Sequence, residues 1–280
     1  MVEWLIEPLA FSFVVRGLAA GVLAAVACAT LSAFVVWRGM AFVGDAMAHA
    51  VLPGIVVAYA LGLSLFLGAL GAALIAVVGI ALFSRRGVLK EDSAIGVVFA
   101  GFFALGIFLL SRMVSFRDLS HILFGNILGV STSDLIAMAI VVAVVVAAVA
   151  ISFKELLVTS FDPSHAVAIG LSPDLLRYGL LTLLALTTVV AIQTVGVVLV
   201  LALLVTPGAA ASMVSRRMSR IMGLSIALSV VSTIVGFYAS YYWDAASGAS
   251  IVLTLTVSFV ALWSVQTVRT ASGSRRRGTM

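Results

Sequence analysis

The chain has 280 residues, 63% hydrophobic and only 10% charged, with 16 basic against 11 acidic side chains and a net charge of +5. A mean hydropathy of +1.28 excludes an ordinary soluble domain, in which about a quarter of residues are charged, and predicts one polytopic integral membrane domain over residues 1–270 with a polar basic cytoplasmic tail, 271–280. The basic excess is gathered in short loops and at the tail, as the positive-inside rule expects; with no long basic stripe or interleaved aromatics it implies no nucleic-acid partner.

Met1–Pro8 contains Glu3 and Glu7 and no basic n-region, so it is expected not to be a cleaved signal peptide. Apolar runs near 20 residues long then predict spanning helices over Ala10–Trp37, Ala41–Leu61, Ser64–Phe83, Ala94–Ser111, Ser133–Phe153, Tyr178–Gln193, Val195–Val214, Ile221–Trp243 and Ser250–Thr267. The seventh carries Pro207 and Gly208 near its end, which weakens it as a regular helix. Small residues such as Gly17, Gly21, Gly68, Gly71 and Ala72 suit close helix packing in lipid. Cys28 is the lone cysteine, which excludes an intrachain disulfide and a thiolate zinc site.

Basic clusters orient the spans. Arg85, Arg86 and Lys90, then Lys154–Arg177, then Arg216, Arg217 and Arg220, then Arg275–Arg277 all fall on one side if Tyr178–Val214 crosses twice with a turn near Gln193–Gly196. The fold class is therefore all-α, a polytopic helical bundle of nine spans with its start outside, or of eight if the first run is broken or interfacial. Arg117–Val130 is too short and interrupted to cross and fits a re-entrant or surface helix on the outer side. Phe161–Asp174 is a cytoplasmic segment with its own helix signal: Asp162 can cap, Pro163 suits the first turn and Gly170 the stop.

No G-x-x-x-x-G-K-[ST] loop occurs, and neither lysine, Lys90 or Lys154, follows a glycine, so no nucleotide site is expected in this chain. HExxH is absent as well. The chain reads as a transport subunit and not an enzyme.

Two ionisable residues in the second apolar run carry the chemistry. Asp45 and His49 are four apart, so a helix places them on one face; intramembrane ionisable groups are costly and are kept for function. Pro53 continues the stripe at i+8. A carboxylate and an imidazole suit a divalent metal ion, but one copy supplies two ligands. Two copies about a twofold axis would supply four, enough for zinc or, with water, for manganese or iron. The alternative is that the two pair with each other or with Arg38 and organise packing.

Several segments in order carry a family resemblance. RGMAFVGDAMAHAVLPGIVVAYALG (Arg38–Gly62) resembles the signature of the membrane permeases of zinc/manganese ATP-binding-cassette importers. HILFGNILGVS (His121–Ser131), FDPSHAVAIG (Phe161–Gly170), QTVGVVLVLALLVTPGAAA (Gln193–Ala211) and SYYWDAASGASIVL (Ser240–Leu253) are similar to later segments of that family, with Ser164–His165 where the family commonly has an acid and an aromatic. The resemblance implies a fold similar to the vitamin B12 and siderophore importers. It also implies a multi-pass protein of a prokaryotic cell membrane, paired with a second permease copy, a cytoplasmic ATPase dimer that alone binds ATP, and an extracellular or periplasmic metal-binding protein. Asp45 and His49 would contact transported Mn2+ or Zn2+, with Fe2+ a further candidate, and no cofactor would stay bound. Phe161, Asp162, Pro163, His165 and Gly170 would belong to a helix docking in the ATPase, within a coupling segment of about 161–174. Pro53, His121, Asn126, Gln193 and Asp244 are further candidates for the pathway or its gates. The rival function is a stand-alone secondary carrier or channel for divalent cations.

Overall fold

The computed structural model describes residues 7–84, 89–112 and 127–277. Among them, after a 3-10 turn at Glu7–Ala10, the helices are α1 (Ser12–Trp37), α2 (Val43–Ala50), α3 (Leu52–Ala60), α4 (Leu65–Ser84), α5 (Glu91–Leu110), α6 (Thr132–Ile151), α7 (Phe153–Phe161), α8 (Pro163–Ala168), α9 (Pro173–Val195), α10 (Val197–Val214), α11 (Met218–Trp243) and α12 (Ser247–Arg277). No strand occurs among the described residues. Nine helical stretches are long and apolar enough to cross a bilayer, α2 and α3 together forming one of them.

All nine expected runs are helical, including the one with Pro207. A proline cannot donate to the carbonyl four residues back, yet α10 runs through it, and neighbouring helices hydrogen-bond to the backbone beside it. The Gly208 amide donates to Ser32 Oγ of α1 at 2.9 Å, and Ser225 Oγ of α11 donates to the Pro207 carbonyl at 3.2 Å. Bonds of this kind from adjacent helices help a span tolerate a proline.

Polarity is distributed as lipid demands. In α1, 72% of the most apolar stretch is buried against the rest of the bundle, against 11% in α12. α1 packs on α6, α9, α10 and α11 and forms the centre. The outer helices turn apolar side chains outward, among them Leu67, Ile75 and Leu82 of α4, Phe108 of α5 and Leu253 and Val257 of α12; in a bilayer that face is solvated by acyl chains. α12 continues past the predicted Thr267 to Arg277.

The two ends of the bundle can be told apart by contacts. At one end, Trp37 at the close of α1 meets Phe161, Ser84 at the close of α4 accepts from Arg177, and Arg216 and Arg217 share a cavity wall with Asp162 and His165. All the described basic loops converge there. At the opposite end, Phe13 and Val14 line a cleft with Asp244 and Ala245, so α1 begins at the end away from the basic loops, as nine crossings require.

Candidate metal-ion site

The turn Arg38–Phe42 reverses the chain from α1 into α2. Gly39 there has φ +70°, a left-handed conformation glycine takes without penalty. α2 then lies close on α10 because Gly44 faces it: a Cβ at Gly44 would stand 2.9 Å from Leu204 Cδ1. This approach sets the next residue, Asp45, and His49 one turn later on the wall of a cavity.

Asp45 Oδ1 and His49 Nε2 are 3.4 Å apart, with the imidazole side chain 30% and the carboxylate side chain 40% exposed. They therefore face each other across an open wall and are not sealed in the core. The cavity has a volume of about 630 Å³ and is closed on the far side by Val195–Leu199 at the α9–α10 turn, by Ile127 and by Ala246, Gly248 and Ala249 ahead of and within the start of α12. The α9–α10 turn is tight because Gly196 holds φ +85°. Since Asp244 and the start of α12 mark the end away from the basic loops, the pair lies toward that end.

The other ring face of His49 is held by α5. Phe103 meets it edge-on with centroids 4.9 Å apart, Phe99 lies at 5.6 Å, and the two phenyl rings stack on each other at 5.8 Å. His49 Nδ1 is buried and has no hydrogen-bond partner. The imidazole is thus positioned by packing, with Nε2 turned to the carboxylate and the cavity. Among the described residues no group of three or more His, Cys, Asp and Glu gathers anywhere, so one copy brings a carboxylate and an imidazole and leaves the remaining coordination positions open.

Arg38 does not pair with Asp45. Its Nε donates to Ser160 Oγ at 3.0 Å and its Nη2 to Thr159 Oγ1 at 3.2 Å, at the basic end. Pro53 is also apart from the pair. α2 ends at Ala50 and α3 starts at Leu52, and Pro53 packs against Gly106 and lines a separate apolar groove with Gly54, Gly68 and Phe102. Gln193 is half-buried, two residues before the cavity wall begins. Asp244 is exposed in a left-handed turn, φ 49°, that ends α11; it lines the neighbouring cleft with Phe13 and Tyr241. His121 and Asn126 lie outside the described residues, as does most of Arg117–Val130, of which Ile127–Gly129 forms a 3-10 turn.

The segment 161–174 folds as its local chemistry dictates. Asp162 accepts from the His165 amide at 2.9 Å, Pro163 occupies the first turn of α8, and Gly170 at φ +85° stops it, with the Leu171 amide donating to the Ala166 carbonyl at 2.9 Å. Phe161, Val167 and Ile169 stand exposed on it, and Leu175 just beyond it. Phe161 packs on Trp37, with ring centroids 4.6 Å apart.

Residues 10–266 match a model of the ABC 3 transport family. The "Probable iron transport system membrane protein" of Haemophilus influenzae is 40% identical over 96% of this chain and 99% of its own length. "Manganese transport system membrane protein MntB" of Synechocystis is 42% identical over 92% and 84%. A chain of PsaBC from Streptococcus pneumoniae, solved in complex with Fab, superposes with a TM-score of 0.82 at 35% identity, covering 94% of this chain and 95% of that one.

Proposed function

The chain belongs to the ABC 3 transport family, and we propose from that premise that it is the permease through which an ATP-driven importer admits divalent metal ions, Mn2+, Fe2+ or Zn2+. The observation that carries this reading is the Asp45–His49 pair at 3.4 Å on an open cavity wall in an otherwise apolar bundle. A carboxylate and an imidazole bind all three metals, and affinity order alone does not choose among them. The names of the iron and manganese relatives favour those two as cargo.

In this reading a second permease copy completes the coordination shell, and the ion exchanges part of its water for Asp45 and His49 on its way inward. Two ligands per copy make a site that can release what it binds, as a pathway must. The protein is a multi-pass membrane protein; it would sit in the inner or plasma membrane of a prokaryote, with the basic end inside. An ATPase dimer on that side would bind Phe161, Asp162, Pro163, His165 and Gly170, and a metal-binding protein would deliver ions to the opposite end. ATP would be hydrolysed on the partner chains.

The test is metal uptake by proteoliposomes holding the permease, its ATPase and its binding protein, with Mn2+, Fe2+ and Zn2+ in competition. Asp45→Ala and His49→Ala are expected to abolish uptake while the complex still assembles; normal uptake by either would remove the pair from the mechanism. Uptake by the permease alone, without ATP, would instead support a secondary carrier.

A further inference from the structure

The segment 161–174 is fastened to the bundle on both flanks, upstream to the corner from which α2 leaves and downstream to the end of α4 and the start of α5. On the upstream side, Arg38 holds Ser160 and Thr159, and Trp37 stacks on Phe161. Trp37 and Arg38 form the corner from which α2 leaves, and Asp45 follows seven residues later. Thr159 and Ser160 are themselves braced on the α7 backbone, donating to the carbonyls of Glu155 and Leu156. The grip therefore falls on the last turn of a helix, just before the non-helical residue Asp162, φ −143° and ψ 87°.

On the downstream side, Arg177 in the first turns of α9 reaches the end of α4 and the start of α5. Its Nη2 donates to Ser84 Oγ at 3.2 Å and to Tyr178 Oη at 3.0 Å, and it lies 3.6 Å from Asp174 Oδ1. Its Nε is 3.9 Å from Glu91 Oε1, the first residue of α5, and both atoms are buried without a hydrogen bond. A guanidinium–carboxylate hydrogen bond has a length of about 2.7–2.9 Å, so this contact is an ion pair without a hydrogen bond. Eight residues along α5 from Glu91 is Phe99, and four further is Phe103, the rings that hold His49.

Glu91 also faces the upstream link. Burial lowers the Arg38 guanidinium from its ordinary range, the Glu91 carboxylate opposes that shift and Arg177 reinforces it. Glu91 thus acts electrostatically on both arginines.

We propose that Arg38 with Trp37, and Arg177 with Glu91, are positioning residues that carry movement of the 161–174 segment to α2, which bears the Asp45–His49 pair, and to α5, whose rings pack on His49. The upstream link moves α2 and its ligands; the downstream link moves α5 and the rings behind His49. The proposal rests on the reading above, in which an ATPase docks on that segment. Two hydrogen bonds and a ring contact tie the end of α7 to the α1–α2 corner, and Arg177 ties the start of α9 to Ser84 and Glu91, so the links transmit displacement and do not simply slip.

The experiment is the reconstituted full complex, in which ATP hydrolysed and Mn2+ transported are measured together and Mn2+ binding to the purified permease is measured separately. Arg38→Ala and Glu91→Gln are expected to keep ATPase co-purification, Mn2+ binding and hydrolysis within about twofold of wild type, and to lower Mn2+ transported per ATP at least tenfold. Arg38→Lys, which keeps the charge and one donor nitrogen in place of two, is expected to recover part of the ratio. A protein that merely lost stability would lose binding and hydrolysis with it. If Arg38→Ala does not fold, Thr159→Val with Ser160→Ala removes the same link from the other side. A wild-type ratio in a folded Arg38→Ala, or in that double variant, would overturn the proposal. Loss of ATP-driven uptake in the wild-type complex, or normal ATPase docking after removal of Pro163–Gly170, would instead sink the underlying reading, and the proposal with it.

Discussion

Gly54→Ala isolates how closely α3 and α4 must cross for α2, and with it the metal pair, to keep its place. A Cβ at Gly54 would collide with the Gly68 carbonyl oxygen and stand 2.6 Å from Ala72 Cβ, and one at Gly68 would collide with the Gly54 carbonyl. The obstacles are backbone atoms, which cannot rotate away, so the cost belongs at the upper end of the range for overpacking, about 3 kcal/mol. Alanine returns about 1 kcal/mol of helix propensity relative to glycine, which leaves a net destabilisation of about 2 kcal/mol. At about 2–4 °C per kcal/mol for a chain of this size, the melting temperature should fall by about 4–8 °C. Gly71 on the same helix α4 is the control, because a Cβ there meets nothing within 4 Å; Gly71→Ala should leave Tm unchanged or raise it by about 2–4 °C on the same scales. Thermal unfolding of the three purified proteins in one detergent decides it. The double variant Gly54→Ala, Gly68→Ala should lose less than the sum of the singles, since one widened crossing relieves both clashes. Equal Tm values for Gly54→Ala and Gly71→Ala would refute the account of the crossing.

Asp162→Ala removes the cap of α8 and should weaken that helix by about 1 kcal/mol, read as an approximately fivefold loss of ATPase affinity in a pull-down titration at fixed permease concentration. Gly208→Ala would push a Cβ to 2.5 Å from Ser32 Oγ and 2.6 Å from the Ser32 carbonyl oxygen; it should destabilise the fold by about 1–3 kcal/mol of overpacking plus the displaced amide bond and so lower Tm, whereas Gly223→Ala, with open space around it, should not. Phe103→Leu should leave Asp45 in place but free the imbalance of packing on His49, which is expected to show as weaker Mn2+ retention by the purified complex with unchanged ATPase docking.

The spans were readable because bilayer thickness imposes a length that random apolar runs do not reach, and because nothing else competes for that pattern. Their ends were less so. Tyr178–Gln193 proved to be Pro173–Val195, since Arg177 is held inside the first turns by Ser84 and Tyr178 and a partnered cation does not stop a helix. The i, i+4 spacing of Asp45 and His49 did place both on one wall. Extending the stripe to Pro53 assumed one unbroken helix, and the joint at Val51 directs Pro53 to Gly106 instead. Phe99 and Phe103 left no trace in the sequence: in a lipid-embedded helix the side facing acyl chains and the side facing protein are equally apolar, so period carries no information about which rings meet the imidazole. The links from Arg38 and Arg177 depend on residues about 120 and 90 positions away, which single-sequence spacing cannot reach.

The central position of α1 sets an order of events at synthesis. It is the first of the described spans to be made, yet its Ser32 waits for the Gly208 amide, 176 residues later, and its wall for α10 and α11. At translation rates of about 5–20 residues per second, that delay is on the order of 10–35 s. Through that interval the Ser32 hydroxyl must be sheltered by early neighbours, by the insertion machinery or by its water, which makes the last third of the chain the step that locks the first span in place.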